Sequence, residues 1–213
     1  MKKLVLYGAG GLGREVAFLV ERINRAAPTY DLLGFVVGTE YYQEGAMVNG
    51  YPIIGDEQWL LEHKLEVVCT CAIGEPRPRE AVQSRLMAQG VAFETLISPD
   101  VEVHVSNRIG RGVILSRGVH MTVNITIGDG VFINGYTGIG HDVVIDDYAC
   151  VMGDCALTGH VHIGKRVFMG GKAYIVPNIS VGDDAVIAAG SVVFRKVKAG
   201  IHVIGNPARK IEL

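Results

Sequence analysis

The chain has 213 residues, 20 Lys and Arg against 22 Asp and Glu, and a formal net charge of −2. Its charges are interspersed, which argues against a nucleic-acid surface or a polybasic membrane patch, and no apolar run approaches the roughly 20 residues that span a bilayer. The opening MKKLVLYGAGG has only Leu4 to Tyr7 as an apolar run before glycines, too short for a signal-peptide core, so the expectation is a cytoplasmic protein of one or two domains.

Residues 1–95 alternate strand and helix signals. LVLY reads as a buried strand, followed by Gly8-Ala9-Gly10-Gly11-Leu12-Gly13 and a helix with Val16, Leu19, Val20 and Ile23 on one face. A strand at Leu32 to Val37 comes next, then a proline-marked turn at Tyr51-Pro52, a short helix near Glu57 to His63 and a strand at Val67 to Ala72. A helix from about Arg79 to Gln89 and a strand at Val91 to Ile97 complete the region. This alternation predicts a small parallel sheet with Rossmann-like winding.

Gly8-x-Gly10-x-x-Gly13 falls between strand and helix, where backbone N–H groups at a helix start approach a phosphate or pyrophosphate. A dinucleotide site also needs an acid at the end of the second strand. Here that strand ends Phe35-Val36-Val37-Gly38-Thr39 and the first acid is Glu40, which disfavours NAD. A phosphorylated, nucleotide-linked small molecule is the expected ligand, with a tight turn that binds nothing as the alternative. Cys69, Cys71, Cys150 and Cys155 make no C-x-x-C pair and read as reduced packing thiols rather than a zinc site.

From Ile97 to Ile187, sixteen positions at steps of six are all aliphatic, among them Val103, Leu115, Ile127, Ile139, Val151 and Ile163. Four places after most of them stands a smaller or β-branched residue, such as Val131, Thr137, Val143, Ala149, Cys155 and Ala173. A helix would repeat every 3.6 residues and a lone strand every two. A strict six with corners that tolerate positive φ is the pattern of a parallel β-helix, in which three hexads close one coil. Residues 18 apart then stack about 4.8 Å from one another, giving a prism roughly 25 Å long. A sandwich of short strands needs no such phase.

In the hexad Ile139-Gly140-His141-Asp142-Val143-Val144 the inward places are Ile139 and Val143, so His141 and Asp142 sit at the corner and outside. An imidazole titrates near working pH and suits a general base, and a neighbouring carboxylate fixes its tautomer. Eighteen-residue stacking puts Asn124, Asp142, His160 and Asn178 in one column, so Asp142 serves His141, His160 or both.

YGAGGLG in a short Rossmann-like region, a hexapeptide prism with Gly140-His141-Asp142, and the closing Val203-Ile204-Gly205-Asn206-Pro207-Ala208-Arg209 carry a resemblance over nearly the whole chain. The chain resembles the hexapeptide-repeat sugar acetyltransferases of the sialic-acid O-acetyltransferase type, which include bacterial UDP-4-amino-sugar N-acetyltransferases. The resemblance implies a left-handed β-helix over 96–213, with His141 as base and Asp142 as its orienter. It also implies that Gly10, Gly11, Leu12, Gly74 and Asn134 hold a nucleotide-sugar. Gly159 and Gly171 would line an acetyl-CoA groove, with the Gly159 N–H as an oxyanion donor. Cys150 stands where some relatives carry a second histidine near the thioester, which puts it with the cofactor residues; a small packing residue is the alternative. Basic residues toward the C-terminal coils, such as Lys165, Arg166, Arg195 and Lys198, would face the phosphates of coenzyme A or simply solvent. A homotrimer with active sites between subunits is implied as well. In one departure, bacillosamine-pathway enzymes carry an acidic pair where this chain has Val37-Gly38, which weakens uridine recognition.

The expected activity is acetyl-CoA-dependent N-acetylation of a nucleotide-linked amino sugar in bacterial surface-glycan biosynthesis, by direct transfer and without a metal. O-acetylation of a sialic-acid-like sugar is the alternative. A metal enzyme using His160-x-His162 and a non-catalytic nucleotide-sugar sensor are further readings.

Overall fold

The computed structural model describes residues 1–212. A five-stranded sheet of order β3-β4-β2-β1-β5 organises the first part: β1 is Lys2–Tyr7, β2 Tyr30–Val37, β3 Met47–Val48, β4 Tyr51–Asp56 and β5 Val68–Cys71. All its pairs are parallel except β3 with β4. Helix α1 (Gly11–Ala26) buries Val16, Ala17, Leu19 and Val20 on one face of the sheet. The predicted stripe is present, with Ile23 only partly buried. Helices α2 (Glu57–Glu62) and α3 (Pro76–Ala88) follow β4 and β5. The Asp56 carboxylate caps α2 by accepting from the N–H groups of Gln58 and Trp59, which satisfies two of the helix's unpaired opening donors.

Two sequence expectations change here. Tyr51-Pro52, which the sequence marks as a turn, opens strand β4. Pro52 is tolerated because the ladder to β2 begins only at Ile53. The strand expected over Val91 to Ile97 is divided: Phe93 bridges Cys69 of β5, whereas Leu96–Ile97 pairs with Ile114–Leu115 in the prism. One extended stretch thus stitches two sheets together.

From Arg108 onward the chain makes two-residue strands every six residues, each paired in parallel with a strand eighteen residues away, as in Thr126↔Val144↔His162. Three sheets result, and the inward residues form one ladder. Large rungs such as Ile133, Ile139, Ile145 and Ile175 alternate with small ones such as Val143, Ala149, Ala173 and Ser191, all buried. The corners are left-handed: Asn124, Asp142, Asp154, His160, Arg166, Asn178 and Asp184 have φ between 56 and 63°. Asn and Asp accept this conformation most readily among non-glycine residues. The ladder does not extend to Val103, which is 40% exposed, because residues 98–107 form no strand. Ser98 and Val101 close a local turn there instead.

The prism has three rims. The first carries Asn124, His141–Asp142 and Gly159–His160; the second Asp129–Gly130, Asp147–Tyr148 and Lys165–Arg166; the third Arg117, Gly135–Tyr136, Gly153 and Gly171. Ile114, Phe132, Cys150 and Phe168 point outward between the second and third rims and pack with Leu4, Leu6, Val16 and Phe35 of the α/β part. Helix α3 runs along the second rim. There Arg166 joins Glu80 of α3 to Asp184, and Arg77 also meets Asp184.

Arg79 locks this junction. It is fully buried and meets five backbone carbonyls: Ile73 and Gly74 from the α/β part, Gly130, Tyr148 and Ala149 from the prism, at 2.7–3.1 Å. A guanidinium carries five N–H donors in a fixed fork, so its capacity is used in full. Among the described residues no helix is long and apolar enough to cross a membrane.

Candidate active site

A cleft of about 1040 Å³ opens between the sheet and the prism. The glycine turn forms one wall. Gly8 has φ +104°, and a Cβ on Gly13 would fall 2.1 Å from the Gly8 carbonyl oxygen, so these two glycines serve the turn itself. Gly10, Gly11 and Gly74 differ: a Cβ on any of them meets nothing within 4 Å, and all three border the cleft with Leu12. Helix α1 starts here with no side-chain cap and no acid in its first turn. Its opening N–H groups are therefore free to meet an anion. Among the described residues no Lys or Arg lines the cleft, so an anion there would meet backbone dipoles rather than a side-chain cation. Phe132, Asn134, Met152 and Phe168 form the prism wall.

His141 is elsewhere, on the first rim, and its side chain is 55% exposed. Its Nδ1 lies 2.8 Å from Asp142 Oδ2, and Asn124 Nδ2 donates to Asp142 Oδ1 at 3.1 Å. The left-handed corner at Asp142, φ +60°, presents the carboxylate beside its neighbour's imidazole. Hydrogen bonding from His141, then from Asn124, holds the Asp142 carboxyl below the usual carboxylate range. With Nδ1 on the carboxylate, the assigned tautomer leaves Nε2 as the free acceptor.

His160 Nε2 is 3.7 Å from Asp142 Oδ2, and its ring meets that of His141 edge-on at 5.1 Å. Asp142 thus bonds His141 directly, with His160 as a more distant neighbour. Among the described residues the polar column stops there, since Asn178 contributes only its backbone N–H, to the Gly159 carbonyl. His162 turns away from His160 and pairs with Asp146 at 2.8 Å, so His160-x-His162 is not a convergent ligand pair. His141, Asp142 and His160 do place three donor atoms within 4.8 Å of one another. Among the described residues no three-imidazole set forms, because His120 belongs to the face between the third and first rims.

Gly159 underlies the His141 ring. A Cβ there would fall 2.6 Å from both Cε1 and Nε2. On the second rim, the N–H groups of Arg111, Asp129 and Lys165 are taken by the aspartates eighteen residues on. Pro177 holds that place above Gly159, and no acceptor among the described residues takes the Gly159 N–H.

Several sequence-derived residues part company within one chain. Gly10, Gly11, Leu12, Gly74 and Asn134 share the cleft. His141, Asp142 and Gly159 share the first rim, and Gly171 lies on the third, where its Cβ would approach the Gly153 carbonyl. Cys150 requires correction: it is fully buried on the docking face beside Arg79 and Met152, and reaches no groove. An outward-pointing strand residue becomes buried there because the α/β part covers it.

Arg79 escapes sequence reasoning because an arginine within a helical stretch ordinarily faces solvent. Phe132, Cys150 and Phe168 do leave a signal: eighteen apart, at outward positions, all three are apolar.

An α/β layer with a glycine turn, docked on a hexapeptide prism with an imidazole–carboxylate pair on its rim, defines an acyltransferase. Residues 3–86 match the PglD N-terminal domain and 160–195 the hexapeptide repeat of succinyl-transferase. GDP-perosamine N-acetyltransferase of Escherichia coli O157:H7 is 32% identical, with 97% of this chain and 95% of that protein aligned. Among solved structures, the acetyltransferase domain of PglB from Neisseria gonorrhoeae FA1090 superimposes with a TM-score of 0.88 at 29% identity, covering 99% and 100% of the two chains. PerB from Caulobacter crescentus, solved with CoA and GDP-perosamine, gives 0.87 at 27% identity over 100% and 98%. This chain belongs to the hexapeptide-repeat nucleotide-sugar N-acetyltransferases, and its prism is the left-handed β-helix of that family.

Proposed function

We propose that the protein transfers acetyl from acetyl-CoA to the amino group of a sugar carried on a nucleoside diphosphate, in surface-glycan biosynthesis. Residues 1–95 hold the nucleotide-sugar and residues 96–213 present the acetyl donor. The observation that carries this reading is the His141–Asp142 pair, whose 2.8 Å hydrogen bond leaves Nε2 over the space that Gly159 keeps open.

The neutral amine attacks the thioester carbonyl, forming the C–N bond and a tetrahedral oxyanion. His141 Nε2 takes the proton that the nitrogen sheds, and Asp142 stabilises the imidazolium. The unpaired Gly159 N–H is the donor proposed for the oxyanion. As the C–S bond breaks, the imidazolium returns its proton to the departing sulfur, giving amide and free thiol with no acyl-enzyme.

A single chain keeps His141 on the first rim and the cleft over the face between the other two. We infer a homotrimer in which the first rim of one copy meets the third rim and cleft of the next. This brings His141 and Gly159 to Asn134 and Gly171 of a neighbour. The exposed Tyr136 and Tyr174 on that side support such an association. Of the basic residues toward the C-terminus, Lys165 and Arg166 are engaged with Asp147, Glu80 and Asp184. Arg195, Lys196 and Lys198 form no ion pair among the described residues and suit the coenzyme A phosphates.

Thiol release from acetyl-CoA with amino sugars linked to GDP, UDP, dTDP and CMP tests the activity. His141→Ala is expected to lower kcat by about 10²–10⁴-fold. Turnover within a few-fold of wild type would remove His141 as the base, and no release with any acceptor would remove the reading.

A further inference from the structure

The cleft lies outside the carboxyl ends of β1, β2 and β5, the place where doubly wound sheets take their ligands. With the diphosphate on the opening N–H groups of α1, the nucleoside falls on the β2 side. Gly38, Glu40, Tyr41, Val48 and Ile53 line that side.

Glu40 is the acid there. It belongs to a single turn, Thr39–Tyr41, fixed where the Tyr41 N–H donates to the Gly38 carbonyl. Its carboxylate folds back across the strand end: a Cβ on Gly38 would fall 2.8 and 2.9 Å from its two oxygens. Gly38 is therefore what lets the side chain lie flat at this point. Among the described residues the Glu40 carboxylate has neither hydrogen bond nor ion pair, although its neighbours Thr39 and Asp56 are bonded to each other at 2.9 Å. The other two cleft carboxylates, Glu15 and Glu75, belong to α1 and to the start of α3.

We propose that Glu40 selects guanine, making the acceptor of this enzyme a GDP-linked sugar. The inference rests on the nucleotide-sugar reading above. An ionised carboxylate only accepts, and it is best matched by two parallel N–H donors. Guanine presents N1–H and the exocyclic amino group side by side. Uracil and thymine offer one N–H flanked by two carbonyls, whose lone pairs oppose the carboxylate. Adenine and cytosine set an amino group beside a ring acceptor. Tyr41, 69% exposed and bordering the same cleft, supplies a ring on which the base can stack. Glu40 stands three residues past the last residue of β2, beyond the strand-end position from which an acid reaches ribose. Val37-Gly38 at that position provides no carboxylate.

Calorimetric titration of the full chain with GDP and with UDP tests this, alongside Glu40→Gln and with acetyl-CoA binding as the control for folding. Wild type is expected to bind GDP at least tenfold tighter than UDP. Glu40→Gln is expected to lose tenfold or more for GDP while UDP and acetyl-CoA stay within twofold. Equal wild-type affinity for the two nucleotides would overturn the proposal and leave the nucleotide-sugar reading standing. Equal losses for both in Glu40→Gln would also overturn it and assign the carboxylate to ribose. Binding of neither nucleotide by wild type would overturn both readings.

Discussion

Gly159 and His141 compete for one volume: a methyl on Gly159 would overlap the imidazole at 2.6 Å from Nε2. Gly159 does not have a positive φ, so Gly159→Ala introduces a steric push without backbone strain. The ring must swing off Asp142. A shift of about 1 Å is enough to cost about 10²-fold in turnover, so kcat should fall by that order with thermal stability nearly unchanged. A Gly159→Ala enzyme with wild-type kcat would show that the ring does not work from this position.

Asp142→Asn separates orientation from charge. Asparagine accepts φ near +60°, so the corner is preserved, but an amide can present its NH2 to Nδ1 and favour the wrong tautomer. A fall in kcat of about 10²-fold or more is expected, without loss of acetyl-CoA binding. The depressed Asp142 carboxyl has a further consequence for pH. Because its folded pKa lies below the ordinary value, the carboxylate is already present throughout the range above about pH 4. Protonation of Asp142 should therefore contribute no acid limb to the rate profile above about pH 5, and a limb in that range that Asp142→Asn abolishes would contradict this.

The proposed sharing of sites between copies predicts complementation. His141→Ala lacks the base and Gly11→Trp fills the cleft, where the added bulk meets open space rather than protein. Each variant alone should be inactive. Refolded together, mixed rings should recover about a quarter of wild-type sites, since each site draws one part from each of two adjacent copies. No recovery in verified mixed oligomers would place the whole site within one chain.

Arg79→Met removes five hydrogen bonds from one buried point and leaves carbonyls of both layers unpaired. A loss of roughly 3–5 kcal/mol is expected in denaturant unfolding. Arg79→Lys should recover only part of it, because an ammonium cannot span the fork.

The thiols should be silent in the native protein. All four are buried; burial pushes Cys71 up to about 12 and Cys155 up to about 11, and raises Cys69 and Cys150 as well. Aromatic disulfide reagents at neutral pH should titrate them only after unfolding. Cys150→Ala should keep activity within a few-fold, in keeping with a packing role against the docked layer.

Much of this was legible in the residues. The six-residue phase located the prism because each inward rung is repeated many times and errors cannot accumulate. The outward direction of His141 followed from the inward placement of Ile139 and Val143. Less regular elements escaped: Pro52 looks like a turn because proline is also the usual first-position breaker, and Val103 keeps phase in a segment that never pairs. The burial of Cys150 and Arg79 depends on how two layers dock, which no local period encodes. Only the apolar column Phe132, Cys150 and Phe168 hinted at that contact.

The Arg79 clamp indexes the α/β layer to two adjacent storeys, those of Gly130 and Tyr148, of a building whose floors repeat. Shifting that grip by one eighteen-residue lap relative to the imidazole would move the chemistry by one floor, about 4.8 Å. Reach along the axis therefore changes only in whole steps. Acceptors that differ by less than a storey must be told apart by wall residues such as Asn134, Met152 and Phe168, so diversification within such a scaffold is expected to concentrate there.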